Sequence, residues 1–348
     1  MRERRLSDGG FFWMAAIVFG IVLLAFAAFV VTHGDAWDKY DTDRFYQMAD
    51  TIIHGGTPYV DFQDPKPPLI YFTLVLPAFF GEKLAGGALL VAAFNLASAL
   101  LVFKAGWNLY GRFSGFLAGL LFVVNLPWIE GFFILTEPFA LPFILASAYA
   151  LLFWKSSAKY LAAGIFAGIA IGFKQYALLA IPLSLLLLFL KGETKGFIGF
   201  MAGIVAVLAV IFGLIFLAYG PSAADQALYW SFGVAGEYVT SDVVGGDVSA
   251  WKPAGPVEYA ANLAFVTVAI LSLLAFALAG FARGRRNAAE YFFLASGLAY
   301  VATLLIRPYF HYIVLALPFA ALLCASAFRE PTSGAGGPSD AFMLSGDK

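Results

Sequence analysis

Long apolar runs separated by short polar interruptions set the pattern of this chain. Runs of Ala, Leu, Ile, Val, Phe and Gly occupy about 11–31, 84–104, 113–128, 131–154, 160–173, 174–190, 196–219, 258–281, 289–306 and 309–328. Most approach the roughly 20 residues that a helix needs to cross a bilayer, so the pattern predicts an all-α, polytopic integral membrane protein with about ten spanning helices. The runs over 113–128 and 160–190 are short for that task. Leu69–Phe80 is apolar over only about a dozen residues, which suits a juxtamembrane or re-entrant helix better than a span. One stretch breaks the monotony: the polar island over 32–68, which carries Asp35, Asp38, Asp41, Asp43, Asp50, Asp61 and Asp64. Within it, Phe45, Met48, Ala49, Ile52 and Ile53 recur at spacings of three and four, the signature of an amphipathic helix lying on the membrane.

Composition agrees with the pattern: 61% of residues are hydrophobic, 12% are charged and the mean hydropathy is +0.84. A net charge of −1 gives no basic field for nucleic acid. The single cysteine, Cys324, excludes an intrachain disulfide. Arg2, Arg4 and Arg5 precede the first run, which is long enough to read as a retained helix.

Charge also sets an expected topology. With a cytoplasmic N-terminus, Arg2, Arg4, Arg5, Lys104, Arg112, Lys155, Lys159, Lys191, Lys195, Arg283, Arg285, Arg286, Arg329 and Lys348 fall inside. Lys39, Arg44, Lys66, Lys83, Lys174, Lys252 and Arg307 fall outside, a two-to-one bias that obeys the positive-inside rule. The expectation is a multi-pass plasma-membrane protein with both termini cytoplasmic. Residues 1–328 form one transmembrane domain, with outer loops at 32–68 and 220–257. The Gly/Ser/Pro-rich stretch 329–348 reads as a disordered cytoplasmic tail. The island, Glu130, Glu137, Lys174, Arg307 and the histidines His33, His54 and His311 all fall on the outer side. The inner loops hold no phosphate-binding Gly-Lys motif, so an activated substrate on the outer side would have to arrive on a lipid.

Several residues carry candidate chemistry. Asp41 and Asp43 stand at the N-terminal edge of the amphipathic helix, where a carboxylate caps free N–H groups. Capping needs one carboxylate, and the second remains to be explained. Lys66 precedes Pro67 and Pro68, which fix the backbone, so a cation sits at a rigid turn near the membrane and suits a lipid phosphate. Glu137 lies inside an apolar run, where an ionisable group faces a cavity or a partner. Lys174 and Arg307 also read as interfacial anchors, and the seven Asp as simple solvation of the loop. Gly164, Gly168 and Gly172, at spacing four, read as a close-packing stripe.

These residues resemble a known family. Asp41-Thr42-Asp43-Arg44-Phe45, Ala49, Gly55 to Phe62 (GGTPYVDF) and Asp64 to Tyr71 (DPKPPLIY) look like the first outer loop of GT-C-type glycosyltransferases. The branch is that of dolichyl-phosphate-mannose protein mannosyltransferases and aminoarabinose lipid A transferases. Asn95, Thr136-Glu137, Gly164 to Lys174 and Arg307 to Pro318 add further matches. The resemblance implies a GT-C-like fold and transfer of a sugar, with inversion, from a polyprenyl-phosphate donor to an extracytoplasmic lipid, glycan or protein acceptor. It makes Asp41 the catalytic base and Lys66 a ligand of the donor phosphate, with Lys174 and Arg307 as further candidates for that task. Glu137, His311, Tyr59, Asp61 and Asp64 are expected in support. The family's usual Glu after the base is replaced here by Thr42, which leaves open whether Asp43 takes that part. The residues name no definite cofactor, and the acidic island leaves room for a divalent metal. Two other readings stand beside this one: a transporter or flippase for a lipid-linked or anionic substrate, and a catalytically inactive binding relative.

Overall fold

The structure, a computed structural model, describes residues 7–33, 40–234, 264, 273–284, 286–305 and 309–329. It is built of helices; among the described residues there is no strand, only an isolated bridge between Pro58 and Phe62 in the island. In chain order these are α1 (Asp8–His33), α2 (Tyr40–Ile53), α3 (Leu69–Phe79), α4 (Lys83–Tyr110), α5 (Arg112–Asn125), α6 (Thr136–Phe153) and α7 (Ala158–Phe173). They continue with α8 (Ala180–Leu190), α9 (Gly196–Tyr219), α10 (Pro221–Leu228), α11 (Leu273–Arg283), α12 (Ala288–Ala302) and α13 (Leu317–Ser326). Tighter 3₁₀ turns at Leu126–Ile129, Gln175–Leu179, Thr303–Leu305 and Phe310–Leu315 link or extend them.

Among the described residues, six helical stretches are long and apolar enough to cross a bilayer: Asp8–His33, Lys83–Tyr110, Arg112–Ile129, Thr136–Phe153, Gly196–Tyr219 and Ala288–Leu305. Leu69–Phe79, Ala158–Phe173, Gln175–Leu190, Leu273–Arg283 and Leu317–Ser326 are apolar but shorter. The protein is a multi-pass membrane protein. At 1.5 Å per residue α3 is roughly 16 Å long, about half a bilayer core, and it lies against α2 and α4. Several elements differ in extent from the apolar runs. The run over 131–154 enters its helix only at Thr136, because Gly131 bonds back to Leu126 and Leu135 to Phe133 in a turn. The helix expected over 84–104 continues to Tyr110, where Gly111, with φ 106°, ends it. Much of the run over 258–281, and all of the tail beyond 329, lies outside the described residues.

α4 is the hub, packed against α1, α3, α5, α6 and α13. On its other side α6 leads to α7, and α7 to α9. The α7–α9 contact rests on glycine: a Cβ on Gly164 would lie 1.9 Å from the Phe200 carbonyl oxygen, and one on Gly203 would lie 2.4 Å from that of Leu161. The stripe read from the sequence is thus close-packed along its length: Gly164 meets backbone, Gly168 the Val207 side chain and Ile204 backbone, and Gly172 the side chains of Leu69 and Ile211.

The ion pairs separate to the two ends of the bundle. Asp8–Arg112, Lys159–Glu193 and Glu290–Arg329 hold one end, with Ser114 Oγ donating to the Phe328 carbonyl. The island, the turn before α6, the α7–α8 turn and the segment before α13 meet at the other.

Candidate active site

The island folds back on the bundle through α2. Its apolar side buries Phe45, Tyr46, Met48 and Ala49, which leaves the first turn of the helix, with Asp41 and Asp43, at the rim. Asp41 Oδ1 lies 3.8 Å from Lys66 Nζ, and both side chains are largely enclosed. Lys66 also stands 6.0 Å from the centroid of Phe45, one turn along α2 from Asp41. Asp43 is exposed and forms no ion pair among the described residues. Thr42, where the family pattern has Glu, donates its hydroxyl to the Ile134 carbonyl at 3.3 Å and ties α2 to the turn before α6.

Backbone holds Lys66 in place. Buried Tyr59 donates its hydroxyl to the Lys66 carbonyl at 2.6 Å and packs edge-on to Tyr71 at 5.8 Å. Burial pushes the Tyr59 phenol well above its ordinary range, so it remains a donor at any physiological pH. Tyr59 itself sits at φ 64°, a left-handed backbone that a tyrosine adopts only under constraint. Gln175 Nε2 donates to the Pro65 carbonyl and, at 2.9 Å, to that of Ser231. This amide fastens the Lys-Pro-Pro turn to the α7–α8 turn and to the segment after α10.

Asp61 and Asp64 have partners of their own. Asp61 Oδ2 accepts the Thr57 N–H at 2.7 Å and closes the GGTPYVDF turn. Asp64 is buried; it accepts from Arg44 Nε at 2.8 Å and from the Tyr71 hydroxyl at 2.7 Å. Both oxygens are engaged, and Arg44 adds a bond to the Gln63 carbonyl at 2.7 Å.

A second pair lies deeper. Lys174 Nζ is 2.7 Å from Glu137 Oε1, with side chains only 5% and 1% exposed. The ammonium lies 4.8 Å from the Tyr312 ring and 5.3 Å from that of Tyr176, and within electrostatic reach of Lys66 and Asp41. Glu137 reaches the site from the first turn of α6, where the Thr136 hydroxyl donates to its Oε2 at 3.0 Å. A third pair flanks these: Glu130 Oε2 and His311 Nδ1 are 3.0 Å apart. His311 lies within electrostatic reach of Glu137.

The structure therefore brings Asp41, Lys66, Glu137, Lys174 and His311 to one end of the bundle. Tyr59, Asp61 and Asp64 lie in the turn that carries Lys66, while Asp43 points away into solvent. Arg307 lies outside the described residues. Two residues were missing from the sequence-based set: Gln175, which reads as a polar helix end, and Glu130, whose direction depends on a left-handed backbone. Among the described residues, no three His, Cys, Asp or Glu side chains converge as the ligands of a metal ion.

No family model matches the sequence, and no curated protein does. The fold does match a solved structure, ArnT from Cupriavidus metallidurans bound to undecaprenyl phosphate, with a TM-score of 0.65 and 16% identity. The match covers 92% of this chain and 60% of the ArnT chain, so this protein spans well under two thirds of its neighbour. Identity at this level speaks for the fold. The chain is an all-helical, multi-pass membrane protein with the GT-C fold seen in ArnT.

Proposed function

We propose that the protein is a membrane glycosyltransferase that moves a sugar from a polyprenyl-phosphate carrier to an acceptor hydroxyl. The observation that carries this reading is the convergence of Asp41–Lys66 and Glu137–Lys174 at one end of a bundle whose structural neighbour holds undecaprenyl phosphate. The Lys/Arg bias supports reading that end as the extracytoplasmic one. In the proposed step the acceptor oxygen attacks the anomeric carbon as its proton passes to Asp41. The bond from that carbon to the phosphate oxygen breaks, and its electron pair leaves with the carrier phosphate. Asp41 supplies general-base catalysis, a contribution of about 10²–10⁴-fold. Lys66 and Lys174 stabilise the charge that grows on the leaving phosphate. That phosphate needs no separate acid, and displacement in one step inverts the anomeric centre. Tyr59 and Gln175 act by holding the Lys66 turn, and the step is written without a metal.

Transfer from polyprenyl-phosphate sugars, assayed with Asp41→Asn and Lys66→Ala proteins, tests the reading. Loss of transfer in both supports it; near wild-type rates in both refute it. Profiling of lipid-linked sugars and envelope glycans with and without the protein identifies the sugar and the acceptor.

A further inference from the structure

Three acid–base pairs stand together at this end of the bundle: Asp41–Lys66, Glu137–Lys174 and Glu130–His311. Each of the two lysines faces a carboxylate, which favours its charged form. Histidine is a cation only when its ring carries a second proton, a change that falls near neutrality for this residue type. With His311 neutral, the three described pairs hold three carboxylates against two cations, and a proton on His311 balances them before an incoming phosphate adds its own negative charge.

The Glu130–His311 geometry suits a ring that takes up this proton. Glu130 has a left-handed backbone, φ 59°, which a non-glycine residue rarely adopts. The turn is held by Gly131 N–H donating to Leu126 at 2.9 Å and by buried Asn95 donating to the Gly131 carbonyl at 2.8 Å. It aims the carboxylate at Nδ1 and so fixes a proton there. Nε2 has no hydrogen-bond partner among the described residues. A second proton on Nε2 makes a charged donor. The ring is stacked on Tyr309 at 5.5 Å and meets Tyr312 edge-on at 4.9 Å, and the Tyr312 ring also carries the Lys174 ammonium. Among the described residues, the groups around His311 are Glu130 from the turn after Leu126–Ile129, Glu137 from α6, and Tyr309 and Tyr312 from its own segment. Lys174 and Tyr176 lie behind Tyr312.

We propose that His311, oriented by Glu130, is a third, proton-switched cation of the phosphate site, and that a lipid-linked phosphate binds it together with Lys66 and Lys174. The proposal rests on the carrier-phosphate reading above. Binding then takes up a proton, so affinity is highest at low pH and falls as His311 loses its charge.

The test is the binding of undecaprenyl phosphate to purified protein in nanodiscs between pH 6 and 8, for wild type, His311→Phe, His311→Gln, His311→Lys and Glu130→Gln. The carrier's own phosphate gains charge over this range and pushes the other way, and His33 and His54 are present throughout, so the comparison between proteins isolates His311. Relative to His311→Phe or His311→Gln, wild-type affinity should fall about 10-fold across the range, the scale of one charge-assisted hydrogen bond. His311→Lys should restore tight binding at pH 8, which a purely structural role would not do. Glu130→Gln should move the wild-type decline to lower pH. Parallel curves for wild type and the two uncharged variants, or no rescue by lysine, overturn the inference. No binding by any of the proteins at any pH overturns instead the carrier-phosphate reading on which it rests.

Discussion

Replacing Lys174 by Met separates two tasks that the Glu137–Lys174 pair can perform, support of the fold and capture of a phosphate. The charged atoms lie 2.7 Å apart in side chains that are 5% and 1% exposed. At an effective dielectric near 20, unit charges at that separation attract by about 6 kcal/mol. Taking two ions out of water opposes this by several kcal/mol per ion, so the pair as a whole is close to neutral for stability. A lone Glu137 is different: it would keep the Thr136 hydroxyl, 3.0 Å from Oε2, a backbone hydrogen bond and the nearby His311 ring, but would lose the cation that faces its buried charge. Lys174→Met should therefore cost about 3–5 kcal/mol, read as a lowered melting midpoint in detergent. The double variant Glu137→Leu/Lys174→Met removes both charges and should melt at or above the wild-type midpoint. It should still fail to transfer sugar, because the phosphate loses a cation. A double variant as unstable as the single one refutes the energetic reasoning. A stable double variant with wild-type transfer refutes the role of Lys174 at the phosphate.

Other outcomes follow from the same geometry. Asp41→Asn should slow transfer by about 10²-fold or more, the loss of a general base, whereas exposed Asp43→Asn should stay within about 3-fold of wild type in the same assay, as a substitution away from the reacting atoms. Tyr59→Phe removes the 2.6 Å bond to the Lys66 carbonyl; at about 1 kcal/mol it should raise the donor KM roughly 5-fold with little change in melting. Gly164→Ala places a methyl 1.9 Å from the Phe200 carbonyl oxygen and should cost about 1–3 kcal/mol in thermal stability by forcing α7 from α9.

The helices were legible because a membrane demands apolar length, and length is written directly in the sequence. The amphipathic stretch from Phe45 to Ile53 emerges as part of α2, since the same residues that would face lipid or core do bury Phe45, Met48 and Ala49. What local pattern could not give was where long runs bend. Gly131 to Leu135 is apolar enough for a helix, yet its backbone closes turns toward Leu126 and Phe133. The site was legible in part. The expectation that Asp41 and Lys66 share a site came from the resemblance, because pairing across some 25 residues leaves no periodic trace. Asp64 looked like a site carboxylate by motif, but its two oxygens are committed to Arg44 and Tyr71. Gln175 gave no sign, because its work depends on two carbonyls from distant segments.

The glycine seam between α7 and α9 bears on how the chain is made. α7 has 16 residues, which extend only about 24 Å against a hydrocarbon core near 30 Å. It lies between α6 and α9. During synthesis α6 emerges first and α9 last, so a nascent chain that stops before Gly196 exposes a strip of bare peptide backbone on one flank of α7. Its peptide groups are bonded within the helix, so what lipid fails to supply is the close packing that the Phe200–Gly203 backbone provides. α7 therefore reaches its final packing only when the whole stretch from Thr136 to Tyr219 is in the membrane, which makes these helices one unit of assembly.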